Sequence, residues 1–179
     1  MITSVANNSV KYVRSLHRRR MRYKEQAFIA EGLRTIEEAI KAGVQPAFLF
    51  HIPALLDSPR ARSVLAQAES RGTTVRAVSE PVMSVMADTV TPPGILAVLP
   101  MLVCPISQPL TWVLVVDCLR DPGNMGTILR SALAAGVELV ITSKGTVDIY
   151  SPKVVRAAMG AHFRLNLYVN QAWSDIRDT

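Results

Sequence analysis

The chain has 179 residues, of which 49% are hydrophobic and 19% are charged, and its net charge is +6. This composition is typical of a globular protein that buries a core, so disorder is not expected. No run of about eighteen apolar residues suggests a transmembrane helix, and the N-terminus lacks the apolar centre of a signal peptide. Cys104 and Cys118 lie in apolar surroundings without metal-ligand spacing, so we expect buried reduced thiols, no metal site and a cytoplasmic protein.

The excess positive charge is concentrated at the N-terminus. Residues 1–24 contain no acid and seven basic residues, which are Lys11, Arg14, Arg18, Arg19, Arg20, Arg22 and Lys24. Subtracting these seven from the 20 basic residues leaves 13, against 14 acidic residues, in the rest of the chain. Such a block favours binding to a polyanion, because each neutralised phosphate releases counterions. The alternative is a solvated basic helix without a partner.

The first elements in chain order predict an α/β layer domain over residues 1–100. Asn7 or Asn8 can cap a helix that runs to about Arg20, with apolar residues at three-residue steps. If that helix persists, Lys11, Arg14, Arg18 and Arg22 form one stripe. Strands are then predicted at 27–31, 47–52, 73–78 and 95–99, and helices at 33–42, from Ser58 to about Gly72, and at 79–86.

Prolines separate this domain from a second one. Pro100, Pro105 and Pro109 fall in a stretch without periodicity, which predicts a linker over residues 101–109. In the second domain, residues 110–179, the run 112–116 is predicted as a central strand that is apolar on both faces. A helix is predicted at 124–135 and a strand at 137–142, and Ser151-Pro152 marks a further helix start.

The most informative segment is the loop between the strand at 112–116 and the helix at 124–135. A loop at the carboxyl end of a parallel strand, followed by a helix N-terminus, is where open α/β sheets bind ligands. It contains neither a GxGxxG loop nor the Lys of a P-loop. Arg130 lies on the small and polar side of the helix, where it could hold a phosphate or form a structural salt bridge. Asn124 could contact a ligand or form an Asx turn.

This segment resembles the first motif of the SpoU/TrmH methyltransferases, whose catalytic half has the knotted SPOUT fold. The matching residues are Asp121, Pro122, Asn124, Gly126, Ile128, Arg130, Ser131, Ala132 and Gly136. The stretch 151–165 is similar to the segment after the family's next strand. Residues 28–32 and 91–97 resemble the family's RNA-substrate-binding domain, a small α/β/α module akin to ribosomal proteins.

The resemblance implies transfer of a methyl group from S-adenosylmethionine to a ribose 2′-hydroxyl of structured RNA, either rRNA or tRNA, with rRNA favoured. It implies catalytic roles for Arg130, either as the base or as a group that holds phosphate and stabilises the alkoxide, and for Asn124. It also implies a homodimeric full-length form. RNA binding falls to the basic N-terminal residues, which are Lys11, Arg14, Arg18, Arg19, Arg22 and Lys24. A non-catalytic RNA-binding protein is the alternative, and a small-molecule α/β enzyme would leave the basic block unexplained.

Two later motifs of the family, an Asn-Glu-Gly-type loop and a Ser-Leu-Asn-type loop, are not found in the 179 residues. In the family these loops build the S-adenosylmethionine pocket. We therefore expect residues 110–179 to be the first part of a methyltransferase domain, and the chain to be a fragment, a truncated gene product or a degenerate member of the family. The cofactor-binding residues are left unassigned, and this chain by itself is expected to be inactive.

Overall fold

The computed structural model describes residues 1–102 and 109–177. The chain divides into two compact units, Met1–Met101 and Leu102–Thr179. Of the predicted linker, 103–108 lie outside the described residues, and so does Cys104.

The first unit contains five helices and four strands among its described residues. The helices are α1 (Asn8–Ser15), α2 (Arg19–Glu25), α3 (Leu33–Lys41), α4 (Pro59–Ser70) and α5 (Glu80–Met86). The strands are β1 (Ala27–Glu31), β2 (Phe48–His51), β3 (Thr74–Ala77) and β4 (Ile95–Pro100). A short 3-10 helix occupies Pro53–Leu55. The predicted strands, and the helices after residue 32, are confirmed to within a few residues.

These elements form a three-layer α/β/α unit. The strand order is β1-β4-β2-β3, in which β4 runs antiparallel to both of its neighbours and β2 is parallel to β3. Because side chains alternate along a strand, each strand supplies both faces of the sheet. One face packs against α1 and α5, and the other face contacts α3 and α4. Fully buried apolar residues on both faces explain why β1, β2 and β4 are mostly apolar, whereas the edge strand β3 contains Thr74 and Arg76.

The prediction of one N-terminal helix up to Arg20 is wrong. Helix α1 ends at Ser15, and Arg18 adopts extended backbone angles before α2 begins. Arg22, predicted to lie on an exposed basic stripe, is only 3% exposed. Its Nη1 donates to the carbonyl oxygens of Leu16 at 2.7 Å and His17 at 2.8 Å. The cation therefore satisfies carbonyls at the end of α1 that have no partner within the helix.

A buried carboxylate holds the loop that precedes β4. Glu31, at the end of β1, is 6% exposed. Its two oxygens accept hydrogen bonds from the backbone N–H of Asp88 and the hydroxyl of Thr89, both at 2.7 Å. A buried carboxylate needs such donors to compensate for lost hydration, so the loop is fixed at this point.

The second unit is a parallel sheet with helices. Its described strands are β5 (Val113–Val116), β6 (Leu139–Ser143) and β7 (Asn166–Gln171), in the order β5-β6-β7. Its helices are α6 (Pro122–Ala135), α7 (Pro152–Ala158) and α8 (Trp173–Arg177), and a 3-10 helix occupies Ala161–Phe163. All described strand pairs are parallel. Neither β7 nor α8 was predicted from the sequence.

Two expectations about this unit are wrong. Strand β5 was predicted to be central, but it lies at the edge of the described sheet, and its Val113 and Val115 are 37% and 38% exposed. Cys118 was expected to be buried, but it is exposed. The apolar run at 112–116 thus correctly predicted a strand. The position of that strand within the sheet could not be predicted from the run, because it depends on which other strands pair with it. In the part of the chain that the structure describes, no helix is long and apolar enough to cross a membrane.

Candidate functional site

The β5–α6 junction is built by a capping arrangement. Asp121 is the N-cap of α6, and its Oδ1 accepts a hydrogen bond from the backbone N–H of Asn124 at 2.7 Å. Pro122 occupies the first helical turn, where a missing N–H costs nothing and the proline ring favours the helical φ angle. The Asp-Pro pair therefore positions the start of α6 at the carboxyl end of β5.

Arg130 and Asn124 are both exposed on α6. Neither side chain makes a hydrogen bond or ion pair with another described residue, so the structural salt bridge considered for Arg130 is not formed there. The Asx-turn alternative for Asn124 is not observed either, because the capping side chain is that of Asp121. The two are six positions apart, which corresponds to about 9 Å along the helix and roughly 120° around it. Helix α6 alone therefore does not bring them together.

A polar network at the carboxyl ends of β5 and β6 was missed by the sequence analysis. The Ser143 hydroxyl donates to Asp117 Oδ1 at 2.5 Å and accepts from the backbone N–H of Cys118 at 3.1 Å. The Thr146 hydroxyl donates to the carbonyl oxygen of Val116 at 3.3 Å. Asp117 directly follows a strand, which was the available signal, but Ser143 and Thr146 reach it only through the pairing of β5 with β6.

Gly126, one of the motif residues, lies where α6 crosses α7. A Cβ atom placed on Gly126 would lie 2.7 Å from the carbonyl carbon of Ala157 and 2.8 Å from the backbone nitrogen of Ala158. Real Cβ atoms do not approach the backbone this closely, so only glycine permits this crossing. The glycine of the motif has a packing role, whatever else the motif does.

His162 is buried in the same unit. Its Nε2 donates to the carbonyl oxygen of Ile149 at 2.7 Å, since a carbonyl can only accept. Burial lowers the pKa of His162 to about 4, an effect that the Ile149 carbonyl and Asp148 partly oppose. The ring is therefore neutral at physiological pH, and its position beneath the surface indicates a packing residue.

A groove of about 540 Å³ runs beside β5 and α6. Its lining is mostly apolar, with Asp117, Thr127 and Ser131 as the polar side chains. S-adenosylmethionine presents an adenine edge, ribose hydroxyls and an amino acid, all of which need hydrogen-bond partners. One carboxylate, which already accepts from Ser143, and two hydroxyls are too few partners for all of these groups. The groove does not fit this cofactor, and we assign no cofactor-binding residue among the described ones.

The six residues predicted to bind RNA divide into two groups. Arg22 is buried, as described above, so its predicted role in RNA binding is not supported by its position. The others are exposed, namely Lys11, Arg14, Arg18, Arg19 and Lys24. The Arg19 guanidinium lies 5.4 Å from the centre of the Tyr23 ring, and Lys24 Nζ is 4.0 Å from Glu25.

Comparison with known proteins identifies both units. Residues 7–97 match the MRM3-like substrate binding domain, and residues 111–179 match the SpoU rRNA Methylase family. The chain belongs to the SpoU/TrmH family of rRNA methyltransferases. Each matched range lies within one of the two compact units. A substrate-binding domain is therefore followed along the chain by a SpoU domain.

The relatives are longer than the chain. It is 38% identical to "rRNA methyltransferase 3A, mitochondrial" of Danio rerio, across 95% of the chain and 40% of that protein. It is 36% identical to the 23S rRNA (guanosine(2553)-2'-O)-methyltransferase RlmP of Bacillus subtilis, across 92% of the chain and 62% of that protein. The AdoMet-bound rRNA methyltransferase structure from Sinorhizobium meliloti superposes with a TM-score of 0.83 at 31% identity, covering 98% of the chain and 66% of that structure. The chain thus spans less than two thirds of each.

The comparisons overturn the expectation of a cytoplasmic protein. The relative from Danio rerio is mitochondrial by name. Reduced, metal-free cysteines do not distinguish the two compartments, so the cysteine pattern was insufficient evidence.

Proposed function

We propose that the protein takes part in 2′-O-methylation of structured RNA, with rRNA favoured over tRNA. The observation that carries the proposal is the Asp121-capped β5–α6 junction, which presents Arg130 on an exposed helix face. The names of the Bacillus and Sinorhizobium relatives support the reaction, the rRNA substrate and S-adenosylmethionine as methyl donor.

Arg130 acts on the RNA in this proposal. Its guanidinium presents a planar set of donors that matches a phosphate bidentately, and it can stabilise negative charge developing on the ribose oxygen. A guanidinium pKa above about 12 makes the same group a poor base. S-adenosylmethionine would supply the electrophilic methyl group, and the described residues form no pocket for it.

Asn124 has the second role. Because Asp121 performs the capping, the Asn124 amide remains available to donate to and accept from a ribose hydroxyl. The 2′-hydroxyl is itself a donor and acceptor, which explains a preference for RNA over DNA. Asn124 thereby orients the nucleotide, while Arg130, about 9 Å further along the helix, holds an adjacent phosphate.

The exposed basic residues of the substrate-binding domain bind the RNA backbone. These are Lys11, Arg14, Arg18, Arg19 and Lys24. Each phosphate contact contributes counterion release, so affinity falls with salt. Arg22 is excluded from this set because its guanidinium bonds to Leu16 and His17.

We also propose that the complete gene product is a homodimer, as the family resemblance implies. The edge of β5, uncovered within the described residues, leaves apolar surface for further protein to cover. Light scattering after gel filtration tests this, and a monomer mass at micromolar concentration would contradict it.

A methyl-transfer assay on ribosomal RNA tests the proposed function. It should use this chain and, where the gene encodes more residues, the complete gene product. Arg130→Ala is expected to abolish most transfer with an unchanged melting temperature, and Arg130→Lys, which keeps the charge but loses the planar fork, should restore little. RNA binding without methyl transfer by the complete product would favour the non-catalytic alternative. Normal transfer by Arg130→Ala would remove Arg130 from the mechanism.

A further inference from the structure

A surface cavity lies beside the break between α1 and α2. The cavity has a volume of about 400 Å³ and is lined by Lys11, Arg14, Ser15 and Arg18. This volume falls within the range of small-ligand pockets, roughly 300–1,000 Å³. The basic surface is therefore concave at this point.

The shape follows from the local sequence. Lys11, Arg14 and Ser15 share one face of α1, because they are three and four residues apart. Arg18 leaves that face, since it adopts the extended conformation that precedes α2. Arg22 keeps the break in place through its hydrogen bonds to the last carbonyls of α1. The buried guanidinium of Arg22 thus stabilises the backbone that positions the three cations around the cavity.

The charge around the cavity is uncompensated within the described residues. Lys11, Arg14 and Arg18 make no ion pair with any of them. Some cations elsewhere in the unit are paired, as Lys41 is with Glu37 at 3.1 Å and Arg62 is with Asp57 at 2.5 Å. Three cations around one concavity repel each other, and an anion between them relieves that repulsion.

We propose that this cavity binds one backbone phosphate of the RNA, as a defined site rather than as part of a diffuse basic surface. Two guanidinium forks and one ammonium supply donors from different directions, which suits the oxygens of a phosphate. Ser15 also lines the cavity with a small side chain. Its hydroxyl proton is not available to the phosphate, because it is donated to the carbonyl oxygen of Tyr12 at 2.7 Å. The inference rests on the proposed function for its ligand, RNA.

A charge-matched pair of variants tests it. Arg18 lines the cavity, whereas Arg20, two residues away and also exposed, does not. Affinity for an rRNA hairpin would be measured by fluorescence anisotropy at several salt concentrations. Arg18→Ala should make the negative slope of log affinity against log salt less steep by about 0.7–0.9, the contribution of one phosphate contact. Arg20→Ala should change this slope much less. Equal effects would mean diffuse attraction and would overturn the proposal.

Two substitutions of Ser15 give an independent comparison of RNA affinity. Ser15→Asp places a carboxylate among the three cations and should reduce RNA affinity by more than tenfold, whereas Ser15→Ala should reduce it little. Equal affinities for the two variants would contradict the proposal.

Inorganic phosphate separates this inference from the proposed function. Titration followed by NMR should shift the backbone amides of Ser15 and Arg18, and Ser15→Asp should remove the shifts. If these shifts occur but RNA does not bind, the cavity takes phosphate and the proposed function fails. If RNA binds with unchanged amides at the cavity, the cavity proposal fails alone. Stronger competition by an acidic peptide than by RNA would also overturn it.

Discussion

Replacing Gly126 with alanine should destabilise the SpoU domain. The added Cβ would lie 2.7 and 2.8 Å from backbone atoms of α7, which cannot move as a flexible side chain would. Overpacking of this kind costs about 1–3 kcal/mol, and the contact with backbone favours the upper part of that range. The better helix propensity of alanine returns up to about 1 kcal/mol. We expect a net loss of about 2 kcal/mol in the free energy of unfolding.

Thermal unfolding monitored by tryptophan fluorescence measures this loss. Both tryptophans of the protein, Trp112 and Trp173, lie in the second unit, so the signal reports on that unit. For a unit of this size, about 2 kcal/mol corresponds to a melting temperature roughly 8–16 °C lower. Gly123→Ala is the matched control, because it makes the same change in the same helix where the nearest atom is a side-chain oxygen of Asp121 at 3.2 Å. A Gly126→Ala protein that melts within a degree of the wild type would refute the reasoning.

Three further predictions follow from buried polar groups. Arg22→Met should destabilise the first unit by about 3 kcal/mol in urea unfolding, because two charged hydrogen bonds are lost. An unchanged midpoint would show that the α1–α2 break does not depend on Arg22. Glu31→Gln should increase hydrogen exchange at the Asp88 amide by at least tenfold, since the carboxylate acceptor is weakened; equal protection would contradict the clamp. His162 is neutral when folded, with its pKa lowered to about 4 by burial, so the unfolded chain binds the proton first as pH falls. The second unit should therefore keep its full stability above about pH 6.5 and lose about 3 kcal/mol between pH 6.5 and 4, and His162→Gln should flatten this dependence.

Much of the fold could be predicted because its signals are local. The Ser58-Pro59 pair marks a helix start, because the serine side chain accepts from a backbone N–H and the proline needs no partner. The Asp121-Pro122 pair begins α6 by the same chemistry, although that helix was predicted to begin only at Asn124. Gly136 ends α6 in the left-handed conformation that glycine adopts easily. Such caps act within a few residues, so they can be identified before any tertiary contact is known.

The N-terminal break could not be predicted in this way. Periodicity at 10, 13 and 16 favours a helix that continues, and nothing within one turn ends it. The break is stabilised by Arg22, whose guanidinium reaches back to the carbonyls of Leu16 and His17. The prediction that this arginine lies on an exposed stripe was based on its spacing from the other cations and required one continuous helix.

The sequence by itself determined the order of the main strands and helices between residues 27 and 143, the concentration of positive charge in the first 24 residues, and the motif from Asp121 to Gly136 that indicated the family. Only the tertiary structure decided which cations face solvent, why Gly126 must be a glycine, and how Ser143 and Thr146 join Asp117 at one edge of the sheet. The physical reason is range. Caps, periodicity and net charge are properties of neighbouring residues, whereas burial, helix crossing and strand pairing depend on residues that are distant along the chain.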